Sequence, residues 1–345
     1  MAGTIFGIPF DEELFLQMWG EAPDLVKAAL LDSGVMVEDP AVEGMIQTGG
    51  NLYTIPFFNV LDGAPQNYDG RTDITADEAG GGSQTGVVYG RARGFTARNF
   101  TADLSGADPV GHIAGAVGRY WAKYRQSVMI GILDAVFGIS GASGYAKEFA
   151  ETHVADLSSA TAAPYKIGET DLNDLATQAM GDQKGAFRVA VMHSNVARTL
   201  ENLQLLEYWK QTDANGLQRP LNIAAMGGYT VVIDDSVPVQ AVGGEGENKA
   251  LKRYTTYLLG EGVLRHANGR LDHPADTRYD PEKNGGQETL YTRMRETIHP
   301  NGFSFKVPSS GWTDSPTDAQ LFSPANWSVK FDPKAIPLAK LVTNG

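Results

Sequence analysis

The join between a glycine-rich hairpin (about Asn51 to Ala97) and a very long amphipathic helix starting at Asp108-Pro109 constrains this chain more than any other feature. Asp108 is a favourable N-cap, and Pro109 suits the first helical position because the N–H it lacks would be unpaired there anyway. Val110, Ile113, Ala114, Val117, Tyr120, Trp121, Tyr124, Val128, Ile132, Leu133 and Val136 recur at steps of three and four, which places them on one helical face. Gly138 is the predicted stop. At about 1.5 Å per residue the rod is about 40 Å long. Gly111, Gly115, Gly118 and Gly131 each cost it up to ~1 kcal/mol relative to alanine, so close packing on a small-residue face is the expected compensation. Arg119, Lys123 and Arg125 break any apolar run of membrane length and no heptad is sustained, which argues against a transmembrane span and a coiled coil. A hairpin whose tip has nothing of its own to pack on, fixed to a stiff rod, predicts a subunit completed by its neighbours.

With 345 residues, 42% hydrophobic and 9% aromatic, the chain can bury a real core as one large or two medium domains. No basic-plus-apolar leader is present, and the acidic stretch from Phe10 to Leu30 reads as an arm, so the chain is expected to stay in the cytoplasm. The absence of cysteine excludes disulfides, cysteine-ligated zinc and thiol catalysis together. A net charge of −13 argues against a surface that grips phosphates, though not against a protein that encloses DNA without gripping it.

Along the chain, Asp11 to Leu30 reads as a short amphipathic helix containing Trp19. Leu52 to Val60 reads as an edge strand, because Pro56 removes a ladder donor, with Gln84 to Phe95 as its partner. The intervening residues, with Asp62-Gly63, Asp69-Gly70 and Gly80-Gly81-Gly82-Ser83, form a connection too long to be idle. Thr170 to Met180 is a predicted helix closed by Gly181. Phe187 to Met192 and Tyr229 to Ile233 are predicted strands flanking a helix from Ser194 to Trp209. Further β-runs are expected at Tyr254 to Leu264, Leu290 to Ile298, Phe303 to Val307 and Trp327 to Phe331.

The segments "RGFTARNFTADLSGADPVGHIAGAVGRYW" (Arg93 to Trp121), "GDQKGAFRVAVMHSNVARTLENLQLLEYW" (Gly181 to Trp209), "YTVVIDDSVP" (Tyr229 to Pro238), "YTTYLLGEGVL" (Tyr254 to Leu264) and "IHPNGFSF" (Ile298 to Phe305), in this order and spacing, resemble the major capsid protein of tailed bacteriophages with the Hong Kong 97-type fold. The resemblance implies an α+β chain with an N-terminal arm (1–50), an extended β-hairpin loop (51–97), a peripheral domain with the spine helix (98–165 and 287–345) and a mixed α/β axial domain (166–286). It implies a non-enzymatic structural protein without cofactor or metal, which self-assembles through pentamers and hexamers into an icosahedral shell around double-stranded DNA. Expected partners are a separate scaffolding protein, a portal and a decoration protein. DNA would be held without sequence-specific binding, no membrane would be involved, and the virion would be assembled in the host bacterial cytoplasm. Closed rings of identical subunits need head-to-tail contacts of this kind. Two departures matter. No lysine lies between Lys27 and Lys123, so the lysine-to-asparagine crosslink of some members is not expected. The arm is also short, so no large scaffolding pro-segment is expected.

Candidate assembly contacts are Trp19, Tyr68, Arg71, Gly80, Gly81, Gly82, Arg91 and Arg93; with Arg98 the arginines form a basic patch that would meet an acidic surface on a neighbour. Two rival readings come from the same chain. An encapsulin-like nanocompartment shell would share the fold. A soluble α/β hydrolase would use His193, Ser194 and Asp235, but it lacks the G-x-S-x-G elbow, and Ser194 is more naturally a helix cap. Asp272, His273, Asp276, Asp280 and Glu282 match no EF-hand spacing and read as a solvated acidic loop. "GGEGENKA" (Gly243 to Ala250) has only the glycine content of a phosphate loop.

Overall fold

The computed structural model describes residues 4–5, 8–9, 34–47, 49–59, 61, 63–71, 73, 76, 78, 80–98, 109–158, 164–212, 218–241, 251–284 and 286–345. In chain order the first elements are β1 (Thr4–Ile5), β2 (Ile8–Pro9), β3 (Met36–Glu38), α1 (Pro40–Gln47), β4 (Leu52–Phe58), β5 (Gly81–Val87), β6 (Tyr89–Arg98) and α2 (Pro109–Phe137). Next come α3 (Gly144–Thr152), β7 (Val154–Asp156), α4 (Asp171–Met180), β8 (Phe187–Met192), α5 (Ser194–Asn202), β9 (Glu207–Thr212), β10 (Gln218–Met226), β11 (Tyr229–Ile233) and β12 (Val239–Ala241). The rest are β13 (Lys252–Gly260), β14 (Leu264–Asn268), β15 (Ala275–Asp280), β16 (Gln287–Pro300), β17 (Phe303–Phe305), α6 (Asp318–Leu321), β18 (Trp327–Val329) and β19 (Leu338–Thr343). Trp19 and the expected helix from Asp11 to Leu30 lie outside the described residues, as does Gly243 to Ala250.

The rod is present as the 29-residue α2. Val117, Trp121, Val128, Ile132, Leu133 and Val136 are buried on its inner face, as their spacing requires. Tyr120 is left part-exposed at the rim, and Tyr124 is half-buried. Gly131 shows what the helical glycines are for. A Cβ there would stand 2.4 Å from the Phe322 ring, so glycine lets that ring lie directly on the helix.

Two sheets flank the rod. β16 is the axis of the first, pairing antiparallel with β6 from Gln287↔Arg98 to Glu296↔Tyr89 on one edge, and with β15 and then β14 on the other; β3 lies parallel to β14. Leu290, Thr292, Met294 and Glu296 alternate inward along β16, a period-two pattern. The second sheet has the order β7-β19-β13-β8-β11-β10-β9, with β12 on β13. Its β8/β11 and β19/β7 pairs are parallel and its other pairs antiparallel. The largest core cluster joins both sheets across α2, with Val191 and Tyr257 on one side and Leu290, Met294 and Ile298 on the other. A second core, with Leu172, Leu175, Leu200 and Leu258, lies under α4 and α5.

Several boundaries differ from the pattern-based expectation. Tyr254 to Leu264 is two strands in two sheets, because the chain turns at Gly262 (φ +65°), a conformation glycine adopts without strain. Gln84 to Phe95 is likewise shared between β5 and β6, which have different partners. The helix expected to run from Ser194 to Trp209 stops at Asn202: Gln204 takes φ +58°, Leu203 is solvent-exposed and Trp209 belongs to β9. Its cap is His193, whose Nδ1 accepts the Asn195 N–H (3.1 Å), rather than Ser194. β14 and β15 share a sheet with β6 and β16, while the C-terminal β19 lies between β7 and β13 of the other sheet.

Candidate assembly interface

The hairpin is a two-stranded ribbon whose register places Tyr53 opposite Gly86 and Phe57 opposite Gly82. A Cβ on Gly82 would be 2.5 Å from the Phe57 ring and one on Gly86 2.1 Å from the Tyr53 ring, so each aromatic covers the backbone of the glycine it faces. Pro56 sits in β4, whose ladder partner among the described residues is β5, so its missing N–H faces the free edge.

At its root the hairpin is built into the subunit. Tyr53 and Val88 share a small core with Val42 and Ile46 of α1 and Ala267 of β14. The Tyr53 hydroxyl lies 3.0 Å from Thr297 Oγ1, and Thr297 in turn donates to the Val87 carbonyl (2.8 Å). Burial raises the Tyr53 hydroxyl to about 12, so it stays protonated. Further out, Phe57 meets Phe331 edge to face at 4.9 Å.

Beyond that level the described residues of the hairpin carry large exposed side chains. Phe58 is 89% exposed, Leu61 81% and Tyr68 86%; the next most exposed large hydrophobic among the described residues is Tyr279 at 54%. Each of these three would gain about 1.5–3 kcal/mol on full burial.

The arginines of the expected patch have different settings. Arg71 is exposed, its N–H bonded to Asp69 Oδ1 (2.8 Å). Arg93 is exposed on β6, and its carbonyl accepts from Thr292. Arg91 instead turns inward, where Nε meets the Tyr124 hydroxyl (2.7 Å) and Nη2 the Asp318 carboxylate (2.6 Å), while Tyr124 donates to the same oxygen. It therefore clamps β6 to α2 and α6. Tyr68, Gly80 and Gly81 are exposed at the tip, and Gly82 stands beneath Phe57. Phe58, at the end of β4, and Leu61, beyond it, were not among the expected contacts, because an apolar residue at a strand end carries the same sequence signal as a core residue.

A buried charged cluster ties the rod to the first sheet. Glu296 accepts from Tyr89 (2.7 Å), from Arg125 Nε (2.8 Å) and Nη2 (2.7 Å), and lies 3.3 Å from His266 Nε2. Burial alone would raise this carboxyl. The His266 hydrogen bond and the Arg125 charge outweigh it and bring the group down to about 2.

The hydrolase constellation fails on geometry. Ser194 Oγ (3.4 Å) and Asp235 Oδ1 (3.5 Å) both lie against His193 Nδ1, which already accepts a backbone N–H. A relay needs hydroxyl and carboxylate on opposite ring nitrogens. Asp235 accepts the Ser194 N–H (2.9 Å), a strut between α5 and the end of β11. The expected acidic loop is partly strand: Asp276 lies in β15 and binds Arg293 (2.5 Å), while Asp272 pairs with Arg270 and Asp280 with Lys283. Among the described residues no group of histidine and carboxylate side chains could hold a metal, and no helix is long and apolar enough to cross a membrane.

A spine helix between two sheets, with a hairpin rooted in the first of them, defines a capsid subunit of the Hong Kong 97-type fold, in the α+β class. Solved structures share it: the capsid of Ralstonia phage GP4 superposes with a TM-score of 0.59 at 12% identity, over 90% of this chain and 86% of that one. The capsid of cyanophage Pam1 gives 0.53 at 12% identity, over 86% and 85%. The chain belongs to the Gp13-like family, described as major capsid protein 13-like, whose model matches residues 107–336. It is also 27% identical over 315 residues to the major capsid protein of Bacillus phage SPP1, covering 91% of this chain and 90% of that protein.

Proposed function

We propose that this chain is the repeating coat subunit of a tailed-phage head, assembling through pentamers and hexamers into an icosahedral shell that encloses double-stranded DNA without sequence-specific binding. Family membership supports the coat role. The observation that carries the mode of assembly is the hairpin tip, where Phe58, Leu61 and Tyr68 stand in solvent and gain their burial on a neighbouring copy. Arm (1–50), extended loop (51–97), peripheral part and axial part divide the work. On sheet membership we draw the peripheral part to include residues 264–300, and the axial part to be centred on the sheet of residues 187–260. A separate scaffolding protein, a portal and a decoration protein complete the head, which is assembled in the host cytoplasm. The role is structural, without catalysis or cofactor. The nanocompartment alternative is not favoured, because the family and its curated relative are phage major capsid proteins.

Negative-stain electron microscopy of the chain, alone and with its scaffold, tests the proposal. Closed shells are expected from the parent and none from the Phe58→Ser/Leu61→Ser/Tyr68→Ser variant, with an unchanged melting temperature of the free subunit. Parent-like shells from that variant would overturn the assigned contact. Particles from infected cells that leave DNA open to nuclease would overturn the genome-enclosing role.

A further inference from the structure

The chain carries 41 Asp and Glu against 28 Lys and Arg, yet its spine helix is charged the other way. α2 contains Arg119, Lys123 and Arg125 and no carboxylate before Asp134, which is paired with Lys340 (2.6 Å). Arg125 turns inward to Glu296. Arg119 and Lys123 instead stand exposed one helical turn apart, and neither has an ion-pair partner among the described residues. β6, which contains no carboxylate either, adds a third cation to this face. Arg91 reaches the Tyr124 hydroxyl (2.7 Å) and Phe95 meets the Tyr120 ring edge to face at 5.5 Å, so residues 91, 93 and 95 of β6 point to the side on which α2 lies. Arg93, between them, is opposite Thr292, whose Oγ1 accepts the Trp121 indole N–H (3.2 Å). It too is exposed and without an ion-pair partner among the described residues. Arg93, Tyr120, Lys123 and Arg119 thus form one strip across the rod, and Asp318 at its Arg91 end is already held by Arg91 and Tyr124.

We propose that this strip is the surface on which the subunit touches the phosphate backbone of double-stranded DNA, and that the shell turns this side of the rod to its interior. The proposal rests on the genome-enclosing reading above and names the residues that make the contact. Two cations about 6 Å apart on a stiff rod match alternate phosphates of one strand, which recur at about 3.4 Å along the duplex axis. Tyr120, 38% exposed, offers a hydroxyl donor beside them. Arg93, Arg119 and Lys123 reach no base edge in such a contact, so it carries no sequence preference. Three neutralised phosphates make a weak site on one subunit, with the logarithm of the association constant falling by about 2.7 for each tenfold rise in salt. Repetition of the strip over many copies then orders the DNA beside the wall through avidity, while each single contact lets go readily.

Lys123 is its own reporter. Acetylation of lysines by an activated ester, read by peptide mass spectrometry on the unassembled full chain at low salt, is expected to slow at Lys123 as short duplex DNA is added, and to be unchanged at Lys184 and Lys330, which are exposed elsewhere. A fourfold rise in salt should lower the association constant read from Lys123 by about 40-fold in the parent, and by only about 3.5-fold in Arg93→Gln/Arg119→Gln, where one cation of the strip remains. Both substitutions are of exposed side chains, and acetylation of Lys123 without DNA should be the same in parent and variant. Equal acetylation of Lys123 with and without DNA would overturn the proposal, as would equal salt dependence in parent and variant. Protection by poly-glutamate as strong as by DNA would overturn it in favour of an acidic protein partner. Because the measurement needs no shell, its failure leaves the genome-enclosing role to the nuclease test, which can succeed with a shell that holds DNA without touching it here.

Discussion

Replacing Glu296 by alanine is expected to destabilise the free subunit by about 3–5 kcal/mol, the range for removing one partner of a buried ion pair. The carboxylate is 1% exposed and serves donors from three other elements: Tyr89 at the start of β6, Arg125 on α2 and His266 on β14. Its loss leaves the Arg125 guanidinium, whose side chain is 16% exposed, without its ion-pair partner. It also leaves the Tyr89 hydroxyl, completely buried, without an acceptor. An exposed pair such as Arg270–Asp272 would cost about 0–1 kcal/mol under the same treatment. Arg125→Met should be costly for the mirror reason, because it strands a buried carboxylate. The double variant Arg125→Met/Glu296→Ala removes both charges together and should therefore lose less than the sum of the single losses, by about 0.5–3 kcal/mol. Urea unfolding of the unassembled subunit, followed by tryptophan fluorescence, measures all three. Additive losses, or a Glu296→Ala cost below about 1 kcal/mol, would refute the view that this cluster fixes the rod to the sheet.

Three further outcomes are expected. Gly131→Ala should destabilise in the parent, because its Cβ meets the Phe322 ring, yet stabilise by up to about 1 kcal/mol in a Phe322→Ala background, where only helix propensity remains; a gain in the parent melting temperature would contradict the packing argument. Gly86→Ala must displace the Tyr53 ring and should cost about 1–3 kcal/mol, with faster hydrogen exchange in β4; unchanged exchange would refute it. Acid should weaken the subunit from about pH 6.5 downward. Burial lowers His153 to about 4 and His299 to about 3, so below 6.5 the unfolded chain takes up protons that the folded chain refuses; their contribution is full above 6.5 and falls by up to about 1.4 kcal/mol per pH unit each. Glu296 follows, its contribution present above about 4.5 and lost as pH falls toward 2. A denaturation midpoint equal at pH 7.5 and pH 5.5 would refute the histidine part.

Much of the architecture is written in local pattern. Pro109 at the first helical position and the three-four spacing of Val117, Trp121, Val128 and Ile132 define α2, because a helix reads its own sequence at short range; the expected cap Asp108 lies outside the described residues. Phe187 to Met192, Tyr229 to Ile233 and the helix before Gly181 follow from the same short-range rules. The resemblance to coat subunits was also legible, since it rests on the order of segments along the chain. What tertiary structure alone decided is which residues meet across long separations. Nothing local tells that Arg91 will turn inward to Asp318 rather than face a neighbour, that Gln84 will be buried by the segment around Gly302, or that β19 will enter the second sheet beside β13. Nor does an apolar pair in a strand reveal whether it is core or contact: Tyr53 is buried and Phe58 stands in solvent on the same strand. Sequence carries the period of an element. Its partner is chosen by burial and by satisfaction of polar groups, and those are settled only when distant segments compete for the same surface.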